Sequence, residues 1–304
     1  MLLFIEQVLN GLQYGAMLFM LASGLTLIFG IMGVINLTHG AFYMVGAYCT
    51  AFAILGTGSF LLGMVAAVLG AGLYAMAIEL SVVQWLYKRD HLYQVLATLG
   101  LILFTNEAVS MIFGRQPPFV DIPSALQGAV PVLPGLEYPV MRLAFIAVGA
   151  LVAVGLWLLV NKTRIGMLIR AGADDREMVD ALGVNVRRLY TILFGLGGAL
   201  CGLAGVMAAP LLAIEIGMGE RVLITTFVVI VIGGVGSIRG ALVGALLVGM
   251  VDSMGRAYLP QLMQLLLPPS TADTLSAGLV SASIYVLMAV VLLFRPLGLL
   301  SARG

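Results

Sequence analysis

Residues 60–78 read FLLGMVAAVLGAGLYAMAI and contain no charged side chain. Residues 143–160, LAFIAVGALVAVGLWLLV, have the same character. Apolar runs of about this length match an α-helix that crosses a bilayer. The 304-residue chain is 62% hydrophobic and 10% charged, with a mean hydropathy of +1.12, which exceeds what a water-soluble core can absorb. The sequence therefore predicts an all-α, polytopic integral membrane protein.

Polar and Gly/Pro clusters divide the chain into a series of apolar runs. They do not alternate with polar residues over about ten positions, as the strands of an outer-membrane barrel would. We expect roughly eight to ten membrane segments in one transmembrane domain, residues 1–304. The N-terminus, MLLFIEQ, lacks the basic region of a cleaved signal peptide, so the first run should remain as a span. The runs are 7–31, 40–56, 59–87, 93–114, 139–161, 189–213, 222–234, 240–254 and 275–294.

The basic residues predict the orientation. Lys and Arg gather at residues 88–89, at 162–188 and after 294. Short loops rich in these residues remain in the cytoplasm, so residues 162–188 should form a cytoplasmic loop. Residues 115–138, together with 256–273, then belong to the outer side, and the N-terminus lies outside.

Two glycine-rich stretches interrupt the apolar sequence. Residues 33–41 read GVINLTHGA and residues 233–241 read GGVGSIRGA. The run just before the second is only about half the roughly twenty residues needed to cross. Non-helical backbone at membrane depth is tolerated only against protein or a wet cavity. The stretches therefore predict discontinuous helices near a translocation path.

Polar side chains in apolar surroundings are the candidates for lining that path, although each also has a structural interpretation. A histidine or an amide can bond the broken backbone, and a threonine can bond its own helix carbonyls. An acid in mid-membrane needs a partner or a proton, and an internal pair is expected for Glu107. Glu79 and Asp252, nearer the segment ends, should be interfacial. The candidates are Asn36, Thr38, His39, Glu107, Thr225, Thr226 and Ser237.

An acidic stretch, RAGADDREMVDALGVNV at residues 170–186, stands out in this apolar chain. Asp174 suits an N-cap with Glu177 three residues on, and Gly183 suits a left-handed helix end. These signals predict a helix over residues 175–182. Its acids argue against an anionic lipid surface and favour a protein partner. The residues assigned to this docking element are Asp174, Asp175, Arg176, Glu177, Met178, Asp180, Ala181, Leu182 and Gly183.

Several activities lack their sequence signatures. The chain has two lysines, Lys88 and Lys162, and neither follows the glycines of a phosphate-binding loop. No zinc-protease, nucleophile-elbow or deaminase motif is present, so we predict no catalytic residue and no metal site. Cys49 and Cys201 suit packing, and a net charge of +1 gives no reason to expect nucleic acid. Energy for transport must come from a partner ATPase or an ion gradient.

Four stretches carry a resemblance to a known family: residues 24–48 (GLTLIFGIMGVINLTHGAFYMVGAY), 164–186 (RIGMLIRAGADDREMVDALGVNV), 233–245 (GGVGSIRGALVGA) and 294–300 (FRPLGLL). In this order they resemble the permeases of ATP-binding cassette (ABC) importers for branched-chain amino acids. In that family the loop similar to 164–186 holds a coupling helix that rests in a groove of an ATP-binding subunit.

The resemblance implies a multi-pass protein of the bacterial inner membrane. Implied partners are a second homologous permease, usually in a heterodimer, two cytoplasmic ATP-binding subunits that hold ATP and magnesium, and a periplasmic substrate-binding protein. No cofactor would be bound by this chain. Relatives in the family carry urea, amides and other amino acids, so the solute stays open. An ion-coupled secondary transporter or a channel is the alternative, and it would not need the docking helix.

Overall fold

The computed structural model of the protein describes residues 1–34, 36–174, 176–265 and 267–300. These residues form eleven α-helices, one β-hairpin and two single-turn 3-10 helices, at Val83–Trp85 and Ser124–Leu126. The helices and strands are α1 (Leu2–Met32), α2 (His39–Thr57), α3 (Phe60–Ser81), α4 (His91–Phe113), β1 (Ala129–Leu133), β2 (Leu136–Pro139), α5 (Val140–Lys162), α6 (Arg164–Asp174), α7 (Arg176–Ala181), α8 (Val186–Ala208), α9 (Met218–Gly233), α10 (Ile238–Gln264) and α11 (Pro269–Phe294).

The number of membrane segments agrees with the sequence prediction. In the described ranges, eight helices are long and apolar enough to cross a bilayer: α1 to α5, α8, α10 and α11. Helix α9 has 16 residues, or about 24 Å at 1.5 Å per residue, less than the roughly 30 Å hydrocarbon core. Its C-terminal end nevertheless lies at the end of the bundle where α1 ends, because Gly236, just after α9, touches Gly30 of α1. The all-α, polytopic fold is confirmed.

Helices α1 and α8 form the enclosed centre of the bundle. Helix α1 packs along α10, α8 and α5, and α8 packs along α3 and α2. Helices α1 and α10 are antiparallel, because Ser253 Oγ bonds the backbone oxygen of Gln7 near one end while Gly30 touches Gly236 near the other. Helices α4, α5 and α11 are the least enclosed of the eight spans.

Close backbone approach holds these helices together. A Cβ on Gly202 of α8 would lie 2.4 Å from the backbone oxygen of Ala67 on α3, and a Cβ on Gly249 of α10 would lie 2.4 Å from the oxygen of Gly11 on α1. Lipid tails are as apolar as leucine, so helices in a bilayer associate through such van der Waals contact between small residues. The glycines therefore determine which helices are neighbours.

Both predicted helix breaks are present. Gly33, with φ 64°, ends α1 in the left-handed conformation, and α2 does not begin until His39. Gly234 and Gly236, with φ of 106° and 81°, separate α9 from α10. The C-terminal segment packs on this second break, where the N–H groups of Leu299 and Leu300 donate to the oxygens of Ile232 and Gly233, both at 2.9 Å. The tail thus satisfies carbonyls at the end of α9.

One end of the bundle collects the basic residues. Helices α3 and α8 are antiparallel, with Gly202 against Ala67 and Gly195 against Met76. The end of α3, which leads to Lys88, therefore lies beside the start of α8 and the α6–α7 loop. We call this the basic end. The β-hairpin lies at the opposite end, where Asn10 Oδ1 accepts hydrogen bonds from Tyr138 and Arg142, at 3.0 and 2.7 Å.

Helix α10 is longer than its apolar run indicated. Residues 256–273 were expected to lie between membrane segments, yet α10 continues to Gln264 through Pro260, and α11 begins at Pro269. Arg256 bonds both carboxylate oxygens of Asp252, four residues earlier, at 2.7 and 2.9 Å. Because Asp252 and Arg256 are four residues apart, they pair on one face of α10 and stabilise the helix where its apolar stretch ends.

Replacing Gly202 by alanine is expected to destabilise the bundle by about 1–3 kcal/mol, because the new Cβ would press on the Ala67 carbonyl. Gly155→Ala is the matched control, since a Cβ there meets open space on α5. Thermal unfolding of the purified protein in detergent should show a lower midpoint for Gly202→Ala only. Equal midpoints for the two variants would contradict the packing described for α3 and α8.

Candidate translocation and coupling sites

The first break forms a compact turn at membrane depth. Asn36 Oδ1 accepts a hydrogen bond from the backbone N–H of Thr38 at 3.0 Å. The Thr38 hydroxyl donates to the backbone oxygen of Thr98 on α4 at 3.1 Å. Thr98 is seven residues inside α4, or about 10 Å from its start at 1.5 Å per residue. The chain therefore re-enters the membrane after α1, and α2 starts inside it.

His39, the first residue of α2, lies against the centre of the bundle. Its Nε2 is 3.0 Å from the backbone oxygen of Leu21 on α1, so Nε2 carries the proton and donates. The Cys201 sulfur of α8 is also 3.0 Å from this nitrogen. The Nδ1 atom is buried without a hydrogen-bond partner in the described residues, as is Asn36 Nδ2. Unsatisfied buried groups of this kind are costly and point to a site that rearranges or binds a ligand.

The N-terminus of α9 packs beside this turn. A Cβ on Gly40 would lie 2.4 Å from the backbone oxygen of Gly219, so the first turns of α2 and α9 are in direct contact. Asn106 Nδ2 of α4 donates to Glu220 Oε1 at 2.6 Å, which ties α4 to the same place. The first break, the start of α9 and the middle of α4 thus meet in one polar region.

Tyrosine hydroxyls extend this polar region, and the sequence interpretation did not include them. Tyr43 is buried on α2, and its hydroxyl has no hydrogen-bond partner among the residues described. It lies near Tyr14 of α1, which in turn lies beside Thr225 of α9. A tyrosine in an apolar run usually packs by its ring, so its polar tip gives no separate signal in the sequence.

Two of the candidate path residues have local structural roles. The Thr226 hydroxyl donates to the Val222 oxygen of its own helix at 2.8 Å. Ser237 caps α10 by accepting a hydrogen bond from the Gly240 N–H at 3.0 Å. Both are structural contacts that the sequence interpretation had left as an alternative to path lining.

The internal pair expected for Glu107 is wrong. Its side chain is exposed on α4, and no hydrogen bond or ion pair involving it is found in the described ranges. Its neighbours Leu103, Phe104 and Met111 are exposed as well. The helix turns Asn106 inward and Glu107 outward, because consecutive residues on a helix point about 100° apart. Surfaces that face lipid rarely carry an ionisable side chain, so Glu107 makes this face of α4 unlike a lipid-facing surface.

The loop between α5 and α8 is helical from Arg164, well before the predicted start at residue 175. Helix α6 is described as far as Asp174 and α7 from Arg176. Asp174 is therefore not the N-cap of α7, because the helix-forming sequence before it continues α6 to that residue. Asp175 and the side chains of Asp174, Arg176 and Glu177 lie outside the part of the chain that the structure describes.

The predicted end of the helix at Gly183 is confirmed. Gly183 has φ 85°, its N–H donates to the Asp180 oxygen at 2.9 Å, and the Val184 N–H donates to the Val179 oxygen at 3.4 Å. This pair of bonds is a Schellman motif. Val179 is 4% exposed and anchors the helix, whereas Met178 and Leu182 are 58% and 76% exposed. A short, sharply ended helix thus presents apolar side chains to its surroundings.

A buried acid supports this loop from the bundle side. Glu79 was expected at the membrane interface, but it is fully buried because α3 and α8 enclose it. Its carboxylate accepts hydrogen bonds from the hydroxyls of Tyr87, at 2.5 Å, and Thr191, at 2.7 Å. Burial and the bond to Glu79 both raise the pKa of Tyr87, so this phenol stays protonated and donates. The start of α8, directly after the loop, is thereby fixed to the end of α3.

These features together define a class of protein. Broken helices meet in a polar region inside a polytopic bundle, and a short exposed helix projects from one end, as in a transport permease. The model of the family described as branched-chain amino acid transport system, permease component, matches residues 7–294. The chain belongs to that family, which favours a permease component over a stand-alone ion-coupled carrier.

Individual relatives agree with this assignment over most of the chain. The high-affinity branched-chain amino acid transport system permease protein BraD of Pseudomonas aeruginosa is 30% identical, covering 98% of this chain and 95% of the relative. The corresponding protein LivH of Escherichia coli K12 is 29% identical over 85% and 88%. A probable LivH of Methanocaldococcus jannaschii is 27% identical over 84% and 82%. No solved structure gives a significant match.

Tyr87→Phe is expected to destabilise the protein by about 1–3 kcal/mol, because it leaves an oxygen of the buried Glu79 carboxylate without its donor. Tyr93→Phe is the control, because Tyr93 also lies near the basic end but is exposed. Thermal unfolding in detergent measures the difference. If the two variants unfold at the same temperature, the bond to Glu79 does not support the junction of α3 and α8.

Proposed function

We propose that the chain is the permease subunit of an ATP-driven importer in the bacterial inner membrane. It forms the translocation path for branched-chain amino acids, or a related small polar solute, delivered by a periplasmic binding protein. The names of the relatives support the solute class, since BraD and LivH are permeases of high-affinity branched-chain amino acid systems. The orientation predicted from the basic residues places the binding protein at the end that carries the β-hairpin.

The observation that carries the proposal is helix α7. Its closed C-terminus and its exposed Met178 and Leu182 give a defined apolar surface at the basic end. A six-residue helix is marginal by itself in water, so a partner that binds it would add to its stability. The proposed partners are two cytoplasmic ATP-binding subunits that hold ATP and magnesium, and one of them would bind the apolar surface of α7. The chain itself has no phosphate-binding loop and is not expected to hydrolyse ATP.

The outer face of α4 supports a second homologous permease subunit. Glu107 lies among exposed apolar side chains on this helix. A carboxylate that faced lipid at this depth would cost several kcal/mol, roughly 3 on insertion scales. The cost is avoided if the face of α4 meets another subunit or a wet path between two subunits. There Glu107 could also meet the ammonium group of an amino acid.

The polar region around the first break is the proposed inner path of this subunit. Asn36, His39 and Tyr43 each have a buried polar atom without a partner in the described chain. In the present conformation α2 and α9 touch at Gly40 and Gly219, so the region is closed. Opening would separate Gly40 from Gly219. The unpaired atoms of Asn36, His39 and Tyr43 could then bind solute or water.

Gly183→Val is expected to weaken the association with the ATP-binding subunits, because a β-branched residue in the left-handed conformation costs about 1–2 kcal/mol and unwinds the end of α7. Gly58→Val is the matched control, since Gly58 has φ 67° and open surroundings at the opposite end of the bundle. Glu177→Lys reverses a charge on α7 and should also lower association.

A pull-down of the ATP-binding subunits from detergent-solubilised membranes measures this, with the amount of inserted permease determined in parallel. Reduced capture by Gly183→Val and Glu177→Lys, with normal capture by Gly58→Val, is the expected result. Unchanged capture by both α7 variants at normal insertion would rule out docking through this helix.

Energy coupling through partners predicts that the permease cannot concentrate solute alone. Liposomes that contain the two permeases without ATP-binding subunits should show no sustained accumulation of radiolabelled leucine. Liposomes that contain the complete complex should accumulate leucine. They need ATP on the side of the membrane that carries the ATP-binding subunits and the binding protein on the other side. Accumulation by the permease alone under an ion gradient would instead indicate a secondary transporter.

A further inference from the structure

A cavity of about 830 Å³ lies at the basic end, and its lining includes Gly33 and Ser237 from the edges of the two breaks but not Asn36 or His39. Its walls come from α1, α5, α6, α9, α10 and α11 and from the connection between α9 and α10. Helix α5 packs on α1 and α6, while α11 packs on α10 and α9, so these two helices flank the cavity from different sides. They are also the two least enclosed spans of the chain. The outer faces of both flanking helices are therefore the most open to lipid among the eight spans.

The cavity is deep and mostly apolar. On α1 its lining extends from Phe19 to Gly33, which is about 21 Å at 1.5 Å per residue. One leaflet contributes about half of the roughly 30 Å hydrocarbon core. Leu27, Leu156 and Leu242 are among the apolar side chains on the walls. The walls are thus long enough to accompany an acyl chain through its leaflet.

The only charged residues in the described lining are two arginines, Arg170 of α6 and Arg239 of α10. Both are exposed, and the Arg170 guanidinium donates to the Val160 oxygen near the end of α5. Exposed cations without an acid beside them in the same lining leave a net positive charge. Basic pockets between membrane helices on the cytoplasmic side suit anionic lipid headgroups.

Thr26 provides an independent polar feature deeper in the cavity. Thr26 is one of the lining residues, its side chain is buried, and its hydroxyl has no partner in the described part of the chain. Other buried threonines bond a carbonyl four residues earlier, as Thr50 and Thr98 do at 2.9 and 2.7 Å. Thr26 lies six residues before the end of α1, or about 9 Å below it. An unsatisfied hydroxyl at this depth is costly unless a ligand accepts its hydrogen bond.

We propose that this cavity binds an anionic phospholipid from the leaflet at the basic end. The phosphate lies at the rim against Arg170 and Arg239, an ester carbonyl accepts the Thr26 hydroxyl, and an acyl chain follows the apolar walls. The order of the three chemistries from rim to base matches the order within a phospholipid. Because α6 carries Arg170 and leads directly to α7, the bound lipid also holds the α6–α7 loop in position. Binding does not depend on which solute is carried.

Titration of the delipidated full-length protein in detergent tests the site. The probes are spin-labelled phosphatidylglycerol and spin-labelled phosphatidylcholine with the same acyl chains, and the motionally restricted fraction of label is measured. The unchanged protein should prefer phosphatidylglycerol. The Arg170→Gln, Arg239→Gln double variant should bind it about 30-fold more weakly, since each arginine near the surface contributes about 1 kcal/mol. Arg89→Gln, at the basic end but outside the cavity, is the matched control and should bind normally.

Thr26→Val keeps the shape of the side chain and removes the hydroxyl, so it should weaken binding of both labelled lipids while the preference for phosphatidylglycerol remains. If the double variant does not fold, Arg170→Gln alone decides, with an expected loss of about fivefold. Equal binding of the two lipids by the unchanged protein would overturn the proposal, as would an equal loss in Arg89→Gln. Displacement of the lipid by inorganic phosphate would identify a phosphate site, and displacement by leucine would assign the cavity to the solute path.

Discussion

Close contact between helix backbones is the constraint on which the structure depends. Four glycine contacts determine the arrangement at the centre: Gly24 with Gly197, Gly30 with Gly236, Gly40 with Gly219, and Gly233 with Gly240. In each case an added Cβ would lie within 3.0 Å of a backbone atom of the partner. In a membrane, packing of this kind supplies the association that the hydrophobic effect supplies in water. The helix breaks lie beside these contacts and are held by them.

The breaks themselves are possible because other elements satisfy their backbone groups. Thr38 bonds a carbonyl of α4, His39 bonds a carbonyl of α1, and the C-terminal tail bonds the last carbonyls of α9. A bilayer offers no water to exposed N–H and C=O groups, so non-helical backbone must find partners in protein. Three of the buried polar atoms without a partner in the described residues, at Asn36, His39 and Tyr43, lie at or next to the first break. They are the groups through which this region could respond to a solute.

The α6–α7 loop at the basic end contacts the ends of the two central helices, α1 and α8. Helix α7 is attached to α6, which packs on the end of α1 at Ile31 through Gly172. On its other side the loop continues into α8, whose first turns are fixed to α3 through Glu79. A displacement of α7 would thus reach α1 and α8 directly, and these are the helices that contact His39. The lipid cavity proposed above lies on the α1 and α6 side of this connection.

The family was identified from the resemblance of four stretches of sequence. Composition and spacing were enough to predict the all-α membrane fold, the two helix breaks and the short helix closed by Gly183. These features depend on local properties, namely hydropathy over about twenty residues and the tolerance of glycine for positive φ.

The partners of polar side chains could not be predicted in this way, because they come from distant parts of the chain. Glu79 was expected at an interface and is buried, Glu107 was expected inside and faces out, and Tyr43 was not considered. Whether a polar residue faces a neighbouring helix or the outside depends on helix rotation and on which helices are adjacent. Small-residue packing across the whole bundle decides both, so only the tertiary structure shows them.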